Sequence, residues 1–275
     1  MEVSHIVPSL EERHGGPSKS VRALANAQAR AGASVGLFST LEPGQPGASA
    51  AQDDARLETF AREAPLWLCR STGLAARLEA GAGDVVHHHG LWLLTLRYAA
   101  EAARSQGAPL LISPRGMLSG WAYRHRLWRK RLASWLVHPG ALRRAAGWHA
   151  TSEEEAADIR ALGFTQPICV APNGVVPPTA ADLSAAGEAW GRRCPAVRGR
   201  RVALFYSRFH RKKRIRELLD LWLAAPRDGW FLLLVGVPEE FSVAEISAWI
   251  AAAGAADRVA VFDGSTAPPP YAVAS

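Results

Sequence analysis

The sequence has little sulfur, with three cysteines and two methionines in 275 residues. Cys69, Cys169 and Cys194 stand far apart and form no C-x-x-C pair, so neither a disulfide framework nor a thiolate zinc site is expected, and a reducing cytoplasm suits the chain. No run of about 18 apolar residues occurs, which argues against a membrane-spanning helix. The opening Met1-Glu2-Val3-Ser4-His5-Ile6-Val7 lacks a basic segment followed by a long apolar one, so no export signal is expected. G-x-S-x-G, H-E-x-x-H and D-x-D are also missing, which disfavours hydrolase, metalloprotease and the usual metal-dependent nucleotide-sugar chemistry. No short fixed period appears, so a solenoid is not supported.

What is present is an ordinary globular composition, 48% apolar with 24 Gly and 18 Pro, and a formal net charge of +7. That balance favours anionic partners without choosing among phosphates, nucleic acid and acidic lipid. Short apolar runs at Val3 to Val7, Val35 to Phe38, Val85 to His88, Leu110 to Ser113, Trp148 to Thr151 and Ile168 to Ala171 alternate with stretches of helical period. Such alternation predicts a mostly parallel sheet covered by helices. A polar, Ala- and Arg-rich passage follows Pro177-Pro178, and the rhythm restarts at Val202 to Tyr206, Phe231 to Val235 and Val259 to Phe262. The expected organisation is a domain over 1–177, a linker over 178–199 and a partial domain over 200–275. Three strands fall short of a usual doubly wound sheet, so the second half is expected to stop before it is complete.

Five segments carry candidate chemistry. His14-Gly15-Gly16-Pro17-Ser18 follows the first strand, and its paired glycines and helix start suit close approach of an anion, or else form a plain tight turn. In Asp84-Val85-Val86-His87-His88-His89-Gly90, strand alternation sets His87 and His89 on one face and His88 on the other. That placement disfavours a three-ligand metal site and leaves histidines that line a cleft or are satisfied in the core. Ser207-Arg208-Phe209-His210-Arg211-Lys212-Lys213-Arg214 precedes an amphipathic helix with Ile215, Leu218, Leu219, Trp222 and Leu223 on one face. Cations at a helix N-terminus oppose its dipole, so these call for an external anion, and Arg with Lys suits a diphosphate; a solvated basic loop is the alternative.

Residues 113–148 hold eight Arg or Lys and no acidic residue. Trp121, Trp128 and Trp135 recur every seven residues there. This describes either a helix packed into the protein's own core or an interfacial helix on an anionic membrane, with a nucleic-acid surface the weaker third option. Ser152-Glu153-Glu154-Glu155 fits a capping box opening a helix that ends near Gly163.

In this order, the Gly15-Gly16-Pro17-Ser18 loop, Asp84 to Gly90, Ser113-Pro114-Arg115-Gly116-Met117-Leu118, Thr151-Ser152, Pro172-Asn173-Gly174-Val175 and Ser207-Arg208 through Lys213 resemble glycosyltransferase family 4, and most closely its bacterial surface-polysaccharide enzymes. The resemblance implies an α/β chain of two Rossmann-like domains, the GT-B fold, with the second incomplete. It implies a retaining, metal-independent transfer without a cofactor, from a nucleoside diphosphate sugar held between the domains to a glycan or polyprenyl-linked acceptor bound mainly by the first. Under it Arg208 and Lys213 clamp the donor diphosphate, Gly15 and Gly16 lie beneath phosphates or acceptor, and His89 lines the sugar pocket. Arg115 contacts the acceptor, and Asn173 and Gly174 join the substrate-binding set. Cysteine usage suits a cytoplasmic location, the pattern of 113–148 suggests a peripheral contact with an anionic membrane, and no nucleic-acid partner is expected. Two departures stand out: Arg214 replaces the glycine that commonly follows the clamping lysine, and the family's E-x-x-x-x-x-x-x-E signature has no counterpart up to Ser275. The rival expectation is a non-catalytic remnant that binds acceptor, membrane or a partner protein.

Overall fold

The computed structural model describes residues 1–11, 16–45, 53–119, 136–224 and 228–275. The chain divides between Val175 and Val176 into two compact units. In the first, strands β1 (Glu2–Val7), β2 (Ser34–Leu41), β3 (Arg56–Ala61), β4 (Val85–His89), β5 (Leu110–Ser113), β6 (Gly147–Ala150) and β7 (Ile168–Val170) form one parallel sheet of order β3-β2-β1-β4-β5-β6-β7. The helices between them are α1 (Gly16–Arg30), α2 (Thr72–Ala80), α3 (Leu94–Gln106), α4 (Ala141–Arg144) and α5 (Glu153–Ala161). Helices cover both faces, which is why the central strands β1 and β4 are buried on both sides. Val21 and Ala25 of α1 pack with Val7 and Leu37 on one face, while Leu74, Leu78, Leu96 and Ala99 pack with Ile6, Ile112 and Trp148 on the other.

Strand order reverses between β1 and β4, whose paired residues are 82 positions apart in the chain, Ile6 pairing with His88 and His5 with His87. The crevice beyond the carboxyl ends of strands at such a reversal is where open α/β sheets bind ligands. β3 was not anticipated: as an edge strand it pairs only with β2 and is half-buried, so Arg56-Leu57-Glu58-Thr59-Phe60-Ala61 presents no apolar run.

In the second unit, β8 (Arg201–Tyr206), β9 (Trp230–Gly236) and β10 (Val259–Asp263) form a parallel sheet of order β10-β9-β8, with α6 (Ala180–Arg193), α7 (Ile215–Ala224) and α8 (Val243–Ala252). The expected linker over 178–199 is corrected by α6. Thr179 and Asp182 close a capping box on it, and Ala186 and Trp190, four residues apart, turn one face inward. Trp190 is fully buried against Phe231, Leu233 and Val235 and donates its indole N–H toward the carbonyls of Pro268 and Pro269 at 3.2 and 3.3 Å. The Ala-rich polar composition resembled a linker because a single tryptophan carries most of the apolar face. The Trp121, Trp128 and Trp135 stripe lies outside the described residues, as do His14 and Gly15.

Candidate functional site

At the β1/β4 reversal the sheet carries polar side chains where a core would normally be apolar. His5 on β1 and His87 and His89 on β4 are all buried on the face toward α1. His5 Nε2 meets Gln28 Oε1 of α1 at 2.6 Å, and His5 Nδ1 meets His89 Nε2 at 2.9 Å. Beyond β5, an Arg115 terminal amino group lies 3.1 Å from His89 Nδ1, and the other is bonded to Asn173 Oδ1. The two ends of this row fix every proton in it. The Gln28 carbonyl oxygen can only accept, so His5 donates from Nε2 and must accept at Nδ1. His89 therefore donates from Nε2, and its Nδ1 accepts from Arg115, which can only donate. Both histidines are neutral in this arrangement. Burial favours that form: it lowers His5 to about 4 and holds His89 well below its ordinary value, with His87, His5 and Arg115 repelling a further positive charge on His89.

A second row runs parallel. His87 Nε2 and His149 Nδ1 each lie 2.8 Å from Ser113 Oγ, and His149 Nε2 lies 2.9 Å from the Ala171 carbonyl. His149 thus donates to Ala171, Ser113 donates to His149, and His87 donates to Ser113. His88 points to the opposite face, as alternation predicts. There it donates from Nδ1 to the Gly90 carbonyl at 3.1 Å and accepts from Thr95 on α3 at 3.0 Å, a satisfied core histidine. Ring nitrogens of His5, His87 and His89 lie within 4.8 Å of one another, the composition of a metal-ligand set. Both nitrogens of His5 and of His89 are already spent in the row, however, and the adjacent guanidinium opposes a second cation.

These residues border a cavity of about 590 Å³ in the first unit. His89 and Arg115 line it together with Ser18 at the start of α1, and Leu66, Trp67 and Leu93 supply apolar walls. Arg115 holds a left-handed backbone, φ 55°, uncommon for a residue with a side chain and stored most often at functional positions. Glu155 secures that turn. Its carboxylate accepts from the Gly116 amide at 2.6 Å and from the Thr151 amide and hydroxyl at 2.7 and 2.9 Å. The expected capping box is therefore only half formed: Ser152 Oγ accepts from the Glu155 amide at 3.1 Å, while the Glu155 side chain is committed to the Arg115-Gly116 turn and Thr151.

Gly16 begins α1, and a Cβ there would meet nothing within 4 Å. Asn173 and Gly174 lie in exposed coil after β7, with Asn173 engaged by Arg115. His5, Gln28, His149 and Glu155 were not among the expected site residues. The one sequence signal for His5 is a polar residue interrupting an apolar strand.

The second unit presents its cations where β8 ends. Arg211–Lys213 form a single 3-10 turn, capped by His210 Nδ1 accepting from the Lys212 amide at 3.0 Å. Arg214 follows at φ 54°, the left-handed conformation in which glycine is at ease. The expectation that these cations need an external anion is corrected in part. Arg208 pairs with Glu239 at 2.9 Å, Arg211 with Glu240 at 2.6 Å and Arg214 with Glu217 at 3.3 Å. The Arg211 guanidinium and its backbone amide lower Glu240 to about 2. Lys213 is exposed, with no ionic partner among the described residues. Phe209 bonds the backbone of Val237, Glu240 and Phe241, and Gly236 lets the two loops touch: a Cβ there would sit 1.9 Å from the Ser207 carbonyl oxygen.

A seven-stranded parallel sheet with its cavity at the strand-order reversal, followed by a second, smaller parallel α/β unit, is the architecture of the GT-B fold, and the family match makes the class a glycosyltransferase. The chain belongs to the glycosyl transferase 4-like domain family, whose model matches residues 15–174. Among solved structures, Anabaena Alr3699/HepE in complex with UDP and glucose superposes with a TM-score of 0.68 at 21% identity, over 96% of this chain and 69% of that one. Sucrose-phosphate synthase from Thermosynechococcus elongatus gives 0.68 at 19%, over 96% and 70%. The apo lipopolysaccharide outer core galactosyltransferase WaaB gives 0.63 at 17%, over 98% and 69%. At these identities the likeness speaks for the fold. No curated protein matches the chain in sequence. No helix among the described residues is long and apolar enough to cross a membrane.

Proposed function

We propose that the protein transfers a sugar from a nucleoside diphosphate sugar to a glycan or lipid-linked acceptor, with retention of configuration and without a metal or cofactor. The observation that carries this reading is the loop Arg208 to Lys213 at the end of β8, built on the Gly236 contact and holding one unpaired ammonium beside an arginine in an exchangeable surface pair. Similar solved structures contain UDP and UDP-glucose. Here Arg208 and Lys213 stabilise the negative charge that builds on the departing diphosphate, the electrostatic role that dominates such departures.

The acceptor occupies the first unit's cavity against Arg115, and Gly15, Gly16, Asn173 and Gly174 complete the proposed substrate-binding set. His89 acts as a positioning residue: with both nitrogens committed it orients Arg115 and leaves proton transfer to other groups. The protein works in the cytoplasm, at the inner face of a membrane that the basic segment 113–148 contacts.

Calorimetric titration with UDP tests the donor site. Two charge-assisted contacts, each contributing ~1.5–3 kcal/mol, predict that the Arg208→Ala, Lys213→Ala double variant binds UDP at least ~100-fold more weakly than wild type. Equal affinity, or no binding by wild type, would leave the remnant reading standing instead.

A further inference from the structure

Two arginines line the first unit's cavity, and their surroundings differ. Arg62 is saturated: it donates from Nε to Thr40 Oγ1 at 2.8 Å, to the Glu42 carboxylate at 2.9 Å and to the Pro8 carbonyl at 3.0 Å. Its charge is balanced within the fold. Arg115 has only neutral acceptors, His89 Nδ1 and Asn173 Oδ1, and its Nε–H is buried without a partner. Among the described residues no carboxylate lies within 4 Å of it. Glu155, the nearest candidate, spends its oxygens on Gly116 and Thr151.

An orphaned donor on a partly buried, unbalanced cation is costly. The fold nevertheless holds it rigidly, through the row from Gln28 to His89, through Asn173, and through the Glu155 contact that secures its left-handed backbone. Burial lowers the Arg115 pKa, and the nearby Glu155 carboxylate offsets that only in part. Among the described residues that line the cavity, two guanidiniums face the Glu42 carboxylate, and the adjoining start of α1 adds the positive end of a helix dipole.

We propose that the first unit's cavity recognises its acceptor through a negatively charged group, a phosphate or a carboxylate, seated on the Arg115 guanidinium. The apolar walls Leu66, Trp67 and Leu93 then take the carbon face of the ring bearing that group. This rests on the acceptor-side reading above and adds the acceptor's chemical class: an acidic sugar or a sugar phosphate. His89 must stay neutral for the arrangement to hold, since a protonated Nδ1 would repel the guanidinium it now orients.

The test is nuclear magnetic resonance of the arginine Nε–H groups in the full chain saturated with UDP, at constant ionic strength set by chloride. Inorganic phosphate, glucuronate and neutral glucose are added separately. The expected result is a saturable shift of the Arg115 Nε–H signal with phosphate or glucuronate and none with glucose. Whichever acid responds identifies the source of the charge. By calorimetric titration, Arg115→Lys should bind that anion about tenfold more weakly, the scale of one charge-assisted contact. Absence of a shift with both acids, or an equal shift with glucose, overturns the proposal. So does UDP alone moving the Arg115 signal and blocking both acids, which would assign the guanidinium to the donor. Failure of UDP to bind at all would defeat the donor reading while leaving the Arg115 response to be read on its own.

Discussion

The first unit buries neutral imidazoles in an ordered row, while the second unit exposes cations paired with carboxylates at its surface. The row is expensive to disturb because its histidines have been removed from water and each ring nitrogen of His5 and His89 has one partner. The surface pairs are cheap to exchange, since water and salt replace either partner at little cost. A site that positions an acceptor benefits from the first property. One that admits and releases a diphosphate benefits from the second.

The contrast can be broken most severely at Trp190. Trp190→Ala removes a fully buried indole from the second unit's core and should destabilise that unit by ~3–5 kcal/mol, leaving hydrogen-exchange protection in the first unit unchanged. Equal loss in both units would dissolve the division between them.

Acid sharpens the contrast next. His5 ionises at about 4 in the folded state against 6.5 ordinarily, so between those values the unfolded chain holds a proton that the folded one refuses. Stability is therefore intact above pH 6.5 and falls as pH drops toward 4, by ~3 kcal/mol from His5 alone. Glu240 behaves at lower pH: its contribution is present above about 4.5 and is lost as pH falls toward about 2. Residue-resolved hydrogen exchange near pH 5 should show opening in β1 and β4 before the Arg211 turn. The reverse order would refute the assignment of charge states. The smallest effect is expected from Arg211→Ala, no resolvable change in the chemical-denaturation midpoint, because that pair is exposed; a clear loss would place the turn with the buried row.

Much of this was legible from period and motif. Alternation separated His88 from His87 and His89, and the i, i+3, i+4 spacing from Ile215 to Leu223 marked α7 with Ile215 and Leu219 buried. β3 was illegible because an edge strand needs no apolar run, and α6 because Ala186 and Trp190 supply its inward face almost alone. The capping box at Ser152 misled by half: Glu155 found donors in Thr151 and in a loop 39 residues earlier.

By itself the sequence determined the alternation of strands and helices, the face each β4 histidine occupies, and the crowding of cations after β8. Only the tertiary structure decided which polar groups meet. A period of two assigns a side chain to a face but says nothing of the strand beside it. The bond between His5 and His89 spans 84 residues and exists because β1 and β4 are neighbours. Pairing is also what distinguishes Arg62 from Arg115, two guanidiniums in one cavity, one paired with Glu42 and the other with no carboxylate at ion-pair distance among the described residues.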